Sequence, residues 1–169
     1  DELLRIFDLA RYYKRMRARK RTNPVLRGAQ IGMVFNKPST RTRVSFETAI
    51  VELGGHAMYL AGDTLQVSRG ETVKDTALVL SRYLDGLVMR THAHSEVAGF
   101  AAWCSFPVIN ALTDLCHPCQ ALADFFTVQE RMGRLEGVRL AYVGDGNNVC
   151  HSLMIGADRL GVELRIACP

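Results

Sequence analysis

Five consecutive positions, Ser39-Thr40-Arg41-Thr42-Arg43, hold three hydroxyls and two guanidinium groups, directly after the apolar run Ile31 to Phe35 and the break at Pro38. A buried strand ending at Asn36 and an amphipathic helix over 42–53, with Phe46, Ala49, Ile50 and Leu53 on one side, place these groups at a helix N-terminus. Unpaired N–H groups and about half a positive charge collect there, and hydroxyls and guanidinium forks add donors suited to phosphate. The stretch predicts a phosphate-bearing ligand, against the plainer reading of an exposed basic loop. Two further polar clusters follow apolar runs: Arg90-Thr91-His92, and His117-Pro118-Cys119-Gln120. Together they offer a second guanidinium, an imidazole and an amide.

Other chemistries fit less well. His92 and His94 suggest a metal pair, extended by Cys116 and Cys119, but no carboxylate or further His is placed to complete it. Cys116-His117-Pro118-Cys119 has the C-x-x-C spacing of a thiol oxidoreductase, yet it follows four strand–helix alternations instead of the first strand of a compact βαβ fold. Gly144-Asp145-Gly146-Asn147-Asn148-Val149 imitates half of a dinucleotide fingerprint but has Val149 in place of the third glycine. The paired Asn147 and Asn148 read as helix caps with an amide available to a polar ligand.

The elements that must position these groups alternate. Strand-like runs at 30–35, 56–61, 86–90 and 107–110 are separated by helical stretches at about 42–53, 71–84 and 95–103, and Ser68 with Glu71 forms a capping box before the second of these. Such alternation means a parallel, helix-covered sheet. A helix from Pro118 to about Arg131 precedes a second unit of strand 138–143, helix 148–160 and strand 162–167. The expected fold is α/β: a three-layer αβα domain with a four-stranded parallel sheet, then the first βαβ unit of a second, similar domain. The expected limits are 1–115 for the first domain, 116–136 for a connecting helix and 137–169 for the start of the second.

The chain has 169 residues, 48% hydrophobic and 22% charged, within the range of soluble globular proteins. It lacks an uncharged apolar run long enough to span a membrane, and Asp1-Glu2-Leu3-Leu4-Arg5 has no signal-peptide layout, so a cytoplasmic protein without membrane association is expected. Five cysteines, an odd number, predict reduced thiols. The missing initiator Met and the stop at Pro169 just after a strand-like run predict a fragment. In residues 1–27, nine Lys or Arg against three acids give +6, although the whole chain carries only +4. That concentration invites a nucleic-acid reading. Leu3, Ile6, Phe7, Ala10 and Tyr13 follow helical spacing, however, so the charges are read as the wet face of an amphipathic helix and no nucleic-acid partner is expected.

Taken together, Ser39-Thr40-Arg41-Thr42-Arg43 and His117-Pro118-Cys119-Gln120 resemble the S-T-R-T-R and H-P-x-Q motifs of the aspartate/ornithine carbamoyltransferase family. The resemblance runs over essentially the whole chain. Lys37-Pro38, Cys119, the stretch Pro107 to Thr113, and Gly144 to Val149 are similar to the ornithine branch of that family.

The resemblance implies transfer of a carbamoyl group from carbamoyl phosphate to the δ-amine of L-ornithine, without cofactor or metal. Ser39, Thr40, Arg41 and Thr42 would hold the phosphate; Arg90 would bridge phosphate and carbonyl oxygen; Thr42, Arg90 and His117 would polarise that carbonyl. Gln120 would bind the carbamoyl NH2 and Asn148 the amino-acid end of ornithine. Gln66 matches a ligand that the family takes from a neighbouring subunit, which implies a homotrimer or a multiple of one. The family's later D-x-x-x-S-M-G and H-C-L-P segments do not occur here, so the 169 residues alone are expected to be inactive. Rival expectations are a carbamoyltransferase for putrescine, acylated ornithine or aspartate, and a thiol-redox protein using Cys116 and Cys119.

Overall fold

The computed structural model describes residues 2–62 and 65–169. The chain divides into two compact units, residues 16–113 and residues 1–15 together with 114–169. Helix α1, Glu2–Ala18, opens the chain.

In residues 16–113 four strands form one parallel sheet: β1 (Gln30–Phe35), β2 (His56–Ala61), β3 (Gly86–Arg90) and β4 (Val108–Leu112), in the order β2-β1-β3-β4. Helices α2 (Thr40–Glu52), α3 (Val73–Leu80) and α4 (His94–Trp103) make the crossovers, and a short 3₁₀ turn, Gln66–Arg69, precedes α3. The inner strands read as continuous apolar runs because both faces are covered. On one face Val34, Leu87 and Met89 pack with Ala77, Leu84, Val97 and Phe100. On the other, Ile31, Met33, Phe35 and Val88 pack with Ile50 and Ala111. This is the expected three-layer αβα arrangement.

Three expectations shift in detail. The fourth strand is Val108–Leu112, not 107–110, because the ladder to β3 continues past an irregularity at Met89/Arg90 until Arg90 faces Leu112. Helix α3 starts at Val73 and is capped by Thr72, whose hydroxyl oxygen accepts from the Asp75 N–H. The side chain of Ser68, the expected cap, lies outside the described residues. Ile6, expected on the apolar side of α1, is 46% exposed, whereas Phe7 is buried.

In the other unit, α5 (Pro118–Met132), β5 (Arg139–Val143), α6 (Asn148–Leu160) and β6 (Glu163–Ala167) form one βαβ turn with an added helix, and β5 pairs parallel with β6. Its core unites Phe7 of α1 with Ala121, Phe125, Leu135, Leu153, Ala157 and Leu160. Gly156 is required by a close approach, since a Cβ there would fall on the Phe125 ring. Two basic residues of α1 have partners within this unit: Arg11 pairs with Asp8 and donates to Gln129 Oε1, and Lys14 pairs with Glu130 at 2.7 Å. No helix among the described residues is long and apolar enough to cross a membrane.

Candidate functional site

The candidate residues divide between the two units. Ser39, Thr40, Arg41, Thr42, Gln66 and Arg90 belong to residues 16–113; His117, Gln120 and Asn148 belong to the other unit.

In residues 16–113 the strand order reverses between β1 and β3: the chain leaves β1 for β2 on one side and later returns to β3 on the other. Ligands of open parallel sheets sit beyond the carboxyl ends of strands at such a reversal. The chain leaving β1 runs through Pro38 into α2, and Arg90 ends β3 opposite Phe35, so the two clusters emerge from adjacent strand ends. Ser39 is the N-cap in extended conformation; its Oγ accepts from the Thr42 N–H and donates to Thr42 Oγ1 at 2.9 Å. The first turn of α2 carries no acid to quench the helix's positive end. The N–H groups of Thr40 and Arg41 have no acceptor inside the helix and are available to an anion.

The two arginines of this turn behave differently. Arg43 lies over the Tyr59 ring, 3.9 Å from its centroid, and pairs loosely with Glu47 at 3.8 Å, so it ties α2 to β2. Arg41 is exposed and has no ion pair among the described residues.

Arg90 has an unusual position. Its Nε is buried and has no hydrogen-bond partner among the described residues, and burial lowers the pKa of its guanidinium. A cation held this way is suited to an anion that the described residues do not supply. Its backbone is fixed instead. Arg90 O accepts from the Asn36 N–H at 2.9 Å, and the Thr91 N–H donates to Leu112 O at 3.0 Å. Next to it Thr91 is buried, with its hydroxyl bonded to Glu96, while Asn36 Nδ2 donates to Thr91 Oγ1 at 3.0 Å and to Glu96 Oε1 at 3.1 Å. Gln66 opens the 3₁₀ turn with an exposed side chain, which has no hydrogen bond to this cluster among the described residues.

In the other unit His117 is the residue before α5, and Pro118 occupies the first helical position, where a missing N–H costs nothing. The His117 N–H donates to Ser152 Oγ at 2.7 Å, and Ser152 Oγ donates to Asn148 O at 3.0 Å. One buried hydroxyl therefore joins the two candidate positions. Asn147 is the cap of α6, its Oδ1 accepting from Val149 and Cys150, and Asn148 is the first helical residue. Gln120 is exposed, and its Nε2 donates to Asp124 Oδ1 at 2.9 Å.

In the sequence Asn36 marks only a strand end and Thr91 only a place in the cluster beside Arg90, and Ser152 is not singled out at all. The only signal for Ser152 is a small polar residue among the buried positions of α6, beside Leu153. All five cysteines stand as thiols, and burial pushes the Cys119 thiol up, the opposite of what a thiolate nucleophile at a helix start needs. The described residues hold no group of three or more His, Cys, Asp or Glu suited to a metal.

Comparison with known proteins covers the whole chain. The profile of the aspartate/ornithine carbamoyltransferase carbamoyl-P binding domain matches residues 1–130, and that of the Asp/Orn binding domain matches residues 136–169. The chain is 50% identical over 169 residues to an ornithine carbamoyltransferase of Pyrococcus horikoshii and 49% identical to one of Bacillus cereus, covering 53% and 52% of their lengths. It therefore spans about half the length of the curated relatives it matches. Among solved structures, the ornithine carbamoyltransferase of Pyrococcus furiosus aligns with TM-score 0.96 at 49% identity, over 99% of this chain and 54% of that one. The catalytic subunit of M. jannaschii aspartate transcarbamoylase aligns with TM-score 0.88 at 36% identity, over 99% of this chain and 56% of that one.

Proposed function

We propose, for a chain that belongs to the aspartate/ornithine carbamoyltransferase family, that its parent protein transfers the carbamoyl group of carbamoyl phosphate to the δ-amine of L-ornithine, giving L-citrulline and phosphate. The observation that carries this reading is the pairing at adjacent strand ends of an acid-free helix N-terminus with Arg90, a cation whose buried Nε has no partner among the described residues.

In this reading Ser39, Thr40, Arg41 and Thr42 bind the phosphate. Arg90 bridges phosphate and carbonyl oxygen, and Thr42, Arg90 and His117 polarise the carbonyl. Gln120 accepts from the carbamoyl NH2, Asn148 binds the amino-acid end of ornithine, and Gln66 serves a neighbouring subunit in a homotrimer or a multiple of trimers. The neutral δ-amine attacks the carbamoyl carbon, the carbonyl oxygen gathers negative charge, and the bond to the phosphate oxygen breaks as the nitrogen loses its proton. Positioned positive charge is what this path demands; one lost oxyanion donor typically costs about 100- to 1000-fold in rate. With the amine's ordinary pKa near that of lysine, only about one molecule in 2500 is neutral at pH 7, so the site must select or generate that form.

By ligand duty we assign residues 1–115 to carbamoyl phosphate, 116–136 to a connecting helix and 137–169 to the start of the ornithine domain. We place the protein in the cytoplasm, in arginine metabolism. The 169 residues alone are expected to form no citrulline at ordinary enzyme rates.

The test is a thermal shift of the full-length protein with carbamoyl phosphate or a phosphonate mimic. Ligand at about 100 times its dissociation constant should stabilise wild type by roughly 2.7 kcal/mol. Arg41→Ala should lose most of that shift. An unchanged shift in the variant would overturn the assignment. Citrulline formation from ornithine, compared with products from putrescine, acylated ornithine and aspartate, decides the acceptor.

A further inference from the structure

We propose that Asn36, Thr91 and Glu96 form a positioning device that aims the Arg90 guanidinium, so that transition-state contact by Arg90 depends on three residues that need not touch substrate. The inference rests on the reading of Arg90 as a ligand of carbamoyl phosphate.

Arg90 stands where the β3–β4 register shifts: Met89 pairs with Asn110, but Arg90 pairs with Leu112. An irregularity of this kind frees a residue from simple alternation and re-aims its side chain. It also leaves the backbone less well determined by the ladder, so something else must fix the Arg90–Thr91 peptide. Both flanks are held: Asn36 donates its N–H to Arg90 O, and Thr91 donates its N–H to Leu112 O.

The side chains then close a triangle. Asn36 Nδ2 reaches both Thr91 Oγ1 and Glu96 Oε1, and the Thr91 hydroxyl donates to Glu96. Glu96 lies in the first turn of α4, so the triangle joins the residue after β1, the residue after β3 and the helix that follows. Gly62, just beyond β2, completes the enclosure, because a Cβ there would fall on the Asn36 amide.

Arg90 Nε has no partner of its own among the described residues. The triangle holds the Cα from which the Arg90 side chain leaves, and burial of Nε restricts the torsions beyond it.

The experiment is a double-mutant cycle in the full-length protein, with kcat and KM for carbamoyl phosphate measured for Thr91→Val, Thr91→Ser, Arg90→Ala and Arg90→Ala/Thr91→Val. Misplacement of about 1 Å can cost on the order of 100-fold, so Thr91→Val should lower kcat/KM by 10- to 100-fold. Thr91→Ser, which keeps the hydroxyl, should recover to within about threefold, and Thr91→Val should add little once Arg90 is already gone, because residues acting through one another are not additive.

Equal losses from Thr91→Val in both backgrounds would overturn the positioning role while leaving the proposed function standing. An Arg90→Ala variant with unchanged kcat/KM would overturn the reading of Arg90 as a ligand, and with it the device, whereas a wild-type protein without carbamoyl transfer would overturn the function itself. If Thr91→Val does not fold, Glu96→Gln run through the same cycle decides by the same criterion.

Discussion

Arg90 and Cys119 show burial acting on two groups in opposite senses. Burial lowers the pKa of Arg90, so at every pH below that lowered value the folded state bears the cost of a desolvated cation, which is relieved only as pH rises through it. Arg90→Met should therefore raise the melting temperature of the ligand-free protein at pH 7 while abolishing the shift produced by carbamoyl phosphate; a fall in melting temperature would refute the account of Arg90 as a cation awaiting its anion. For Cys119 burial raises the pKa, so the thiol form is favoured and its stabilisation is complete below the ordinary cysteine range, then lost as pH rises through the raised value. At pH 7.5 iodoacetamide should modify exposed Cys168 well before Cys119, with Cys119 catching up only at higher pH, as followed by peptide mass spectrometry. The strand-end residues Ser39 to Arg43 and Arg90 were legible because charge and hydroxyls are conspicuous after an apolar run. The bond between Asn36 and Thr91 was not: it spans 55 positions, and a strand-end Asn or a Thr beside an Arg carries no signal of its partner.

Helix α2 acts as an element through its first turn, where stability and ligand binding can be separated. Ser39→Ala removes the cap and should cost about 1 kcal/mol together with phosphate-ligand affinity. Ser39→Asp supplies another good cap and should retain stability, yet its carboxylate would repel phosphate, so urea denaturation and ligand titration should diverge for this variant alone. In α6, Gly156→Ala pushes a methyl against Phe125 and should destabilise by roughly 1–3 kcal/mol, measured by the same denaturation. Strands β1, β2 and β3 fall where apolar runs predicted, since each run is bounded by a turn or a charge. Strand β4 extends two residues further than its apolar pattern suggested, to Leu112, because pairing with β3 and not local composition sets its end. Thr72 displaced the expected cap of α3 for a related reason: several hydroxyls compete at a helix start, and the tertiary path of the incoming chain selects among them.

At the scale of the whole molecule, the parallel sheet and the second βαβ unit were legible from the alternation of runs, but the allegiance of α1 was not. Amphipathic spacing says that Leu3 and Phe7 are covered without saying by what. The cover is Ala121, Phe125, Leu153 and their neighbours, so Leu3 and Phe7 of α1 complete the core built from residues after 113. Phe7→Ala should cost about 3–5 kcal/mol of that unit's stability. Hydrogen exchange should then quicken in α5 and α6 while the amides of β1 and β3 keep their protection; uniform loss across both sheets would show that the units do not open separately. This arrangement also sets a schedule during synthesis. A ribosome delivers Phe7 more than a hundred residues before Phe125, and at about 5–20 residues per second the interval is on the order of ten seconds. Through that interval the four-stranded sheet can assemble while α1 waits with its apolar side uncovered, so a helix made before the sheet is buried after it, and it is there that a nascent-chain chaperone would find its footing.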